Sequence, residues 1–378
     1  MKYYYILFLI LLFACKDDAT EPQSEEDAYF EDYEVPLNKW GYIDTTGVLV
    51  IDKKYDDLRP FKNGLARANY KGKWGFIDRR GFEVIPFKYR GTFPFKDGLA
   101  RVQNFNKLYG FINKKGEMII PDTMDLVFDF NSERARAKKG ETYGYIDKTG
   151  RWIIESQFKK CSNFENNHAR VYQFGRAALI DLSGNFKIPY EDENEKMFST
   201  TSDILRAKKG KLYRYYSLKT YKVVKDNLAN GTDFKDGFAA IETEDEKWEI
   251  VNQDFKKQFS LDAERVKYAG NGKWLTINDG KYTLYNEEGK KQTSESYNMI
   301  FAFNDGIAPF ERRGLWGYMN EEGEELMEPI LPLAWEFNEG FARVIYGGIS
   351  YMNRNMERIS NDRFMDAHNF SEGFAHVQ

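Results

Sequence analysis

Short stretches that mix bulky apolar side chains with single glycines and end on an acidic or amide residue recur along the chain. Trp40-Gly41-Tyr42-Ile43-Asp44 is the first, followed by Trp74-Gly75-Phe76-Ile77-Asp78, Tyr109-Gly110-Phe111-Ile112-Asn113, Tyr143-Gly144-Tyr145-Ile146-Asp147 and Trp316-Gly317-Tyr318-Met319-Asn320. Strong β formers with a central glycine predict a short strand and disfavour a helix. Each stretch runs into Asp-x-x-Gly or Asn-x-x-Gly, as at Asp44 to Gly47, Asp78 to Gly81 and Asn320 to Gly323. The first side chain of such a turn can accept backbone N–H bonds, and the glycine takes the left-handed conformation without a Cβ clash. The returning run, such as Glu83-Val84-Ile85-Pro86, reads as a second strand whose pairing stops at the proline. A third strand follows as Ala100-Arg101-Val102, one side inward and one outward.

Weaker copies begin at Ala177, Tyr213, Trp248, Tyr282 and Ile349, so that starts fall at 40, 74, 109, 143, 177, 213, 248, 282, 316 and 349, separated by 33 to 36 residues. A Phe stands 21 residues after nine of these starts, and at Phe61, Phe95, Phe234, Phe303, Phe337 and Phe370 it opens a Phe-x-x-Gly-(Leu/Phe/Ile)-Ala pattern; Ala269 takes its place in repeat seven. A fixed period of this length is the signature of a repeat architecture. Each unit reads as a three-stranded antiparallel meander that cannot bury its own face, so stacked neighbours complete the core, with the Trp and Phe side chains as the adhesive. About ten units exceed the four to eight blades of common propellers, and an open or superhelical β array is expected. The alternative is a closed propeller-like ring, because a Trp strand opens the repeats and a third strand, Ala375-His376-Val377, ends them.

Tyr70-Lys71-Gly72-Lys73-Trp74-Gly75-Phe76-Ile77-Asp78 resembles the hallmark of the bacterial WG-repeat family, also called KWG repeats. The resemblance covers residues 37–378 and is weakest in repeats five to seven. It implies a β-repeat array of a kind often carried by exported bacterial proteins, and it supplies neither catalytic residues nor an agreed ligand.

The first residues read as an address. Met1-Lys2 is basic and Tyr3 to Phe13 is apolar, the length of a signal-peptide core and too short for a membrane span. Leu12-Phe13-Ala14-Cys15 resembles a lipoprotein box. The expected organisation is a signal peptide over 1–14, an acylated Cys15 opening an acidic tether over 15–36, and the repeat domain over 37–378. Residues 16 to 34 hold nine acidic side chains and one Lys, a composition that self-repels and extends. Lys16-Asp17-Asp18 resembles the export tag of Bacteroidetes-type lipoproteins, so the expected place is the outer membrane, surface-exposed, with membrane contact through the lipid on Cys15.

Composition narrows the chemistry. Of 378 residues, 55 are Lys or Arg and 59 are Asp or Glu, a net charge of -4 that gives no drive toward nucleic acid. Three His and two Cys do not supply a zinc, haem or disulfide framework, and no cofactor is expected. Cys161 reads as a buried thiol. The recurrent Asp is explained by its turn role, since Asn replaces it at Asn113, Asn286 and Asn320. His168 stands where the Phe-x-x-Gly pattern has an apolar residue, and His376 in an outward slot; neither has a Ser or Cys companion. Trp40, Trp74, Tyr109, Tyr143, Tyr213, Trp248, Tyr282 and Trp316 form a stripe that reads first as core and second as a platform for sugars or peptides. Arg67, Arg101, Arg136, Arg170 and Arg343 form an outward row that could meet an anionic polymer. These features favour a non-enzymatic binding or scaffold lipoprotein for a protein or glycan partner. The alternatives are a structural envelope spacer and a cryptic enzyme.

Overall fold

The structure, a computed structural model, describes residues 39–190, 194–199, 202–243 and 246–378. The signal peptide, Cys15, the acidic tether and the export tag lie outside the described residues. All the regular elements among the described residues are strands, and they form ten antiparallel sheets. Sheet 2 shows the pattern: Asp57–Leu58, Ala66–Tyr70, Lys73–Ile77 and Glu83–Tyr89, paired in that order. The long connection before each Phe-x-x-Gly turn therefore contributes a short fourth strand that the sequence reading of three strands omits. Where the assigned sheet has three strands, isolated bridges such as Val127 to Ala137 and Tyr282 to Tyr297 mark the missing edge.

Each sheet straddles two sequence repeats, because the Phe-x-x-Gly and third-strand portion of one repeat pairs with the Trp strand of the next. That offset closes the chain on itself. Sheet 1 joins Phe374–Val377 to Trp40–Asp44, which in turn pairs with Leu49–Tyr55. Four residues on each side are in register, Gly41 with Val377 through Asp44 with Phe374. The expected open or superhelical array is thus corrected to a closed ten-bladed β-propeller ring, and the closure removes the edge that an unpaired terminal strand would expose.

The glycine of the Trp-Gly stretch is set by space. Trp74 pairs with Tyr89 and Phe76 with Ile85, so the outgoing strand bulges opposite Gly75. A Cβ on Gly75 would stand 2.5 Å from the Ile85 carbonyl oxygen, and Gly41, Gly110, Gly144 and Gly317 meet the same obstruction at 2.3 to 2.6 Å. Pro86 and Pro121 lie within the bulged strands Glu83–Tyr89 and Met118–Met124, so pairing passes the proline instead of stopping there. A bulge leaves residues without a ladder partner, which is where proline is tolerated.

The core lies between consecutive sheets. Tyr42, Ile51 and Tyr55 of sheet 1 pack against Leu58, Phe61, Ala66 and Ala68 of sheet 2. Its recurring unit is an aromatic pair across that gap: Tyr42 with Phe61, Phe76 with Phe95, Phe111 with Phe130, Tyr145 with Phe164, Tyr318 with Phe337 and Tyr351 with Phe370, with centroids 4.6 to 5.0 Å apart. Such pairs add about 0.5–1.5 kcal/mol to the burial of the rings. Where the first ring is Tyr, its hydroxyl donates to a carbonyl of the next sheet, as Tyr42 to Arg59 (2.6 Å), Tyr145 to Ser162 (2.7 Å) and Tyr318 to Trp335 (2.9 Å). The adhesive is therefore this third-position ring with the Phe. The initial Trp or Tyr contributes less: Trp40, Trp74, Tyr109, Tyr143, Tyr213 and Trp316 are half-buried, whereas Trp248 and Tyr282 are buried.

Candidate functional site

Three repeated or singular features were open to a functional role, and the ring assigns them different ones. The arginine row does not point outward into solvent. Each guanidinium reaches the next sheet: Nη1 of Arg67 donates to the Thr92 carbonyl (2.9 Å) and that of Arg343 to the Ala367 carbonyl (2.6 Å). Arg101, Arg136, Arg170 and Arg206 do the same to Val127, Cys161, Phe198 and Gly231. The other side of the fork finds a side chain two residues further on, Asp129 for Arg101 (3.1 Å), Asp233 for Arg206 (2.8 Å) and Asn369 for Arg343 (2.9 Å). Aromatic faces cover the cations, with Arg101 3.5 Å from the Phe93 centroid and Arg136 3.6 Å from that of Phe128. Planar, forked donors suit a joint that must engage a carbonyl, a carboxylate and a ring together. Burial, and then the adjacent Arg59, bring the Arg67 guanidinium down to about 10, still charged at neutral pH. The row is a set of inter-sheet latches, which corrects its outward placement.

At the chain seam the same slot holds His376. It is 2% exposed, not outward, and its ring lies over His368 with centroids 4.2 Å apart and 9° between planes. Trp40 stands 5.4 Å from both. Burial first, then His368, Arg59 and Arg343, hold His376 down to about 2, so the pair is neutral in the folded ring. Cys161 is buried and its thiol is pushed up to about 11, chiefly by burial, so the structure gives it no thiolate at neutral pH.

The acidic turn residues behave as the turn geometry requires. The N–H groups of Arg80 and Phe82 both donate to Asp78 Oδ1 at 2.9 Å, and those of Lys115 and Glu117 donate to Asn113 Oδ1 at 2.9 and 3.1 Å. The paired turn glycine packs against the preceding sheet: a Cβ on Gly81 would lie 3.1 Å from Ile51 Cγ2 and one on Gly150 3.1 Å from Ile120 Cγ2. Among the described residues no group of three or more His, Cys, Asp or Glu side chains converges as a metal site does.

What remains at the surface is the returning strand that follows the Asp-x-x-Gly or Asn-x-x-Gly turn, which forms one sheet edge and is called the rim below. Leu49 and Val50, Phe82 and Val84, Met118 and Ile119, Ile153, Phe186, and Val223 and Val224 are exposed on or beside the returning strands Leu49–Tyr55, Glu83–Tyr89, Met118–Met124, Trp152–Phe158, Phe186–Ile188 and Val223–Leu228, which belong to sheets 1 to 6 in chain order. Sequence reasoning missed this belt because a returning apolar strand resembles core. The alternation in Leu49–Tyr55, with Ile51 and Tyr55 buried and Leu49 and Val50 exposed, is visible only once the register is known.

The chain is similar to several solved structures at low identity. Hsv2p of Kluyveromyces lactis has a TM-score of 0.36 and 11% identity over 62% of this chain and 94% of its own. BamB from Moraxella catarrhalis has 0.35 and 11% over 76% and 98%. A structure titled as the eukaryotic initiation factor has 0.45 and 9% over 89% and 97%. No curated protein matches the sequence. The family model described as WG containing repeat matches residues 40–74, 74–107, 109–143, 143–173 and 316–348, and the chain carries five repeats of that family.

Proposed function

We propose that this chain is a non-catalytic binding ring, held at the outer membrane by a lipid on Cys15 and set off from it by the acidic tether, which presents its rim to a partner protein. The observation that carries the reading is the belt of exposed apolar side chains on the returning strands of six consecutive sheets. Those strands are sheet edges with unpaired backbone groups, and soluble proteins commonly protect such edges with charge. An apolar edge repeated from sheet to sheet suits an extended partner that adds along it. The spacer reading requires no such belt, and the enzyme reading requires a reactive group that the aromatic and arginine rows do not provide.

The test is capture of envelope proteins by the full mature chain, compared with a variant carrying Val50→Lys, Val84→Lys and Ile119→Lys. The expected result is a defined partner retained by the unaltered chain and lost by the variant at unchanged melting temperature. Equal retention by both, or none by either, favours the spacer. Metabolic lipid labelling should disappear with Cys15→Ala; labelling that persists would remove the anchor.

A further inference from the structure

The gap between the sheet over 160–188 and that over 194–228, the fifth and sixth in chain order, brings three side-chain features together. The Phe164 turn that borders it carries Asn167 where Gly64, Gly98, Gly237, Gly306, Gly340 and Gly373 stand in six other turns, and Asn166 and Asn167 hold the positive φ (48° and 61°) that those turns share. His168 takes the place of Leu65, Leu99 or Ile307. On the facing side the hairpin of sheet 6 ends on Tyr221, also at positive φ (57°). His168 Nδ1 lies 2.7 Å from the Asn166 carbonyl, which can only accept, so Nδ1 carries the proton and Nε2 accepts from the Tyr221 hydroxyl at 3.1 Å. The two rings meet edge to face at 5.7 Å.

Around this pair the structure opens a cleft of about 480 Å³. Its charges are matched internally, Asp181 with Lys187 at 3.2 Å and Asp203 with Lys219 at 2.9 Å. Two acids and two bases so paired leave no net field to draw in an ion, while side-chain amide and hydroxyl groups remain as hydrogen-bonding partners. The volume lies in the range of small-ligand sites. Polar replacement of an apolar inter-sheet contact weakens packing, and departures of this kind concentrate at functional positions.

We propose that this cleft binds a neutral polyhydroxylated ligand, a mono- or disaccharide unit, with one sugar face against Tyr221 and its hydroxyls on Asn166, Asn167 and the two ion pairs. The site shares Lys187 of the strand Phe186–Ile188 with the rim but not Val50, Val84 or Ile119, so its success or failure is read independently of the variant that tests the partner-protein reading.

Saturation-transfer NMR on the full mature chain, with maltose, cellobiose and di-N-acetylchitobiose as probes, tests it. At least one sugar should receive saturation, and the transfer should fall at least fivefold in Tyr221→Ala and in His168→Leu. The second variant restores the apolar residue of the other sheets and should fold with an unchanged or higher melting temperature. Absence of transfer to all three sugars, transfer undiminished in His168→Leu, or displacement of the bound sugar by inorganic phosphate at low ionic strength would each overturn the proposal.

Discussion

Tyr42 and His376 stand opposite each other in one antiparallel pair although they come from the two ends of the repeat domain. The seam they mark is reinforced beyond the ladder. The Glu372 and Gly373 N–H groups donate to the Glu339 carboxylate (2.8 and 2.9 Å). The Glu372 carboxylate in turn accepts from Gly64 N–H (2.9 Å), from Asn63 N–H and from Arg79 (2.8 Å). A chain of carboxylates thus carries the last sheets across the closure onto sheet 2.

Glu372→Ala removes a charged acceptor from two backbone donors and one Arg, and should destabilise the ring by about 1.5–3 kcal/mol in urea denaturation. Burial tends to raise the Glu372 carboxyl, but Arg79 and the Gly64 and Asn63 N–H groups outweigh it and hold the group below its usual range. A depressed carboxylate contributes stability that is present above its unfolded value of about 4.5 and is lost as pH falls through the folded one. The variant's deficit should therefore shrink in titrations below pH about 4. A deficit constant with pH would show that the carboxylate charge is not what matters.

The seam histidines titrate in a different window. Burial lowers His376 and His368 below the ordinary value, so the unfolded chain takes up their protons first. Their contribution is present above pH about 6.5 and declines as pH falls, by up to about 1.4 kcal/mol per pH unit for each proton. Melting temperature should drop between pH 6.5 and 5, and His376→Gln should flatten that drop. An equal slope in the variant would place the titrating group elsewhere.

Gly75 and Gly98 separate space from conformation. Gly75→Ala drives a Cβ into the Ile85 carbonyl and should cost more than about 3 kcal/mol or prevent folding. Gly98→Ala meets nothing within 4 Å and suffers only its positive φ of 86°, about 1 kcal/mol. Chemical denaturation of both, side by side, tests the order; equal losses would contradict the bulge explanation.

Arg101→Ala leaves the Val127 carbonyl and Asp129 without their partner in a joint where the Arg is 9% exposed, and should cost about 3–5 kcal/mol. Arg101→Lys retains the charge but not the fork, so it should recover less than half of that loss. Full recovery by Lys, read from denaturation midpoints, would reduce the latch to a simple ion pair.

The repeat period, the strand and turn sequence and the role of Asp44, Asp78 and Asn113 were legible along the chain because all rest on local chemistry: β propensity, side-chain acceptors two to four residues away and glycine at a left-handed corner. The Phe at a fixed offset was legible too, as in Phe61 and Phe337, though not its ring partner. What the residue order alone left open was every relationship between sheets. Closure of Trp40–Asp44 onto Phe374–Val377, the inter-sheet direction of Arg101, the burial of His376 and the exposure of Val50 all depend on contacts between segments distant in sequence or on bulge-shifted register. Alternation along a strand tells two faces apart, but only the neighbouring sheet decides which of them meets water.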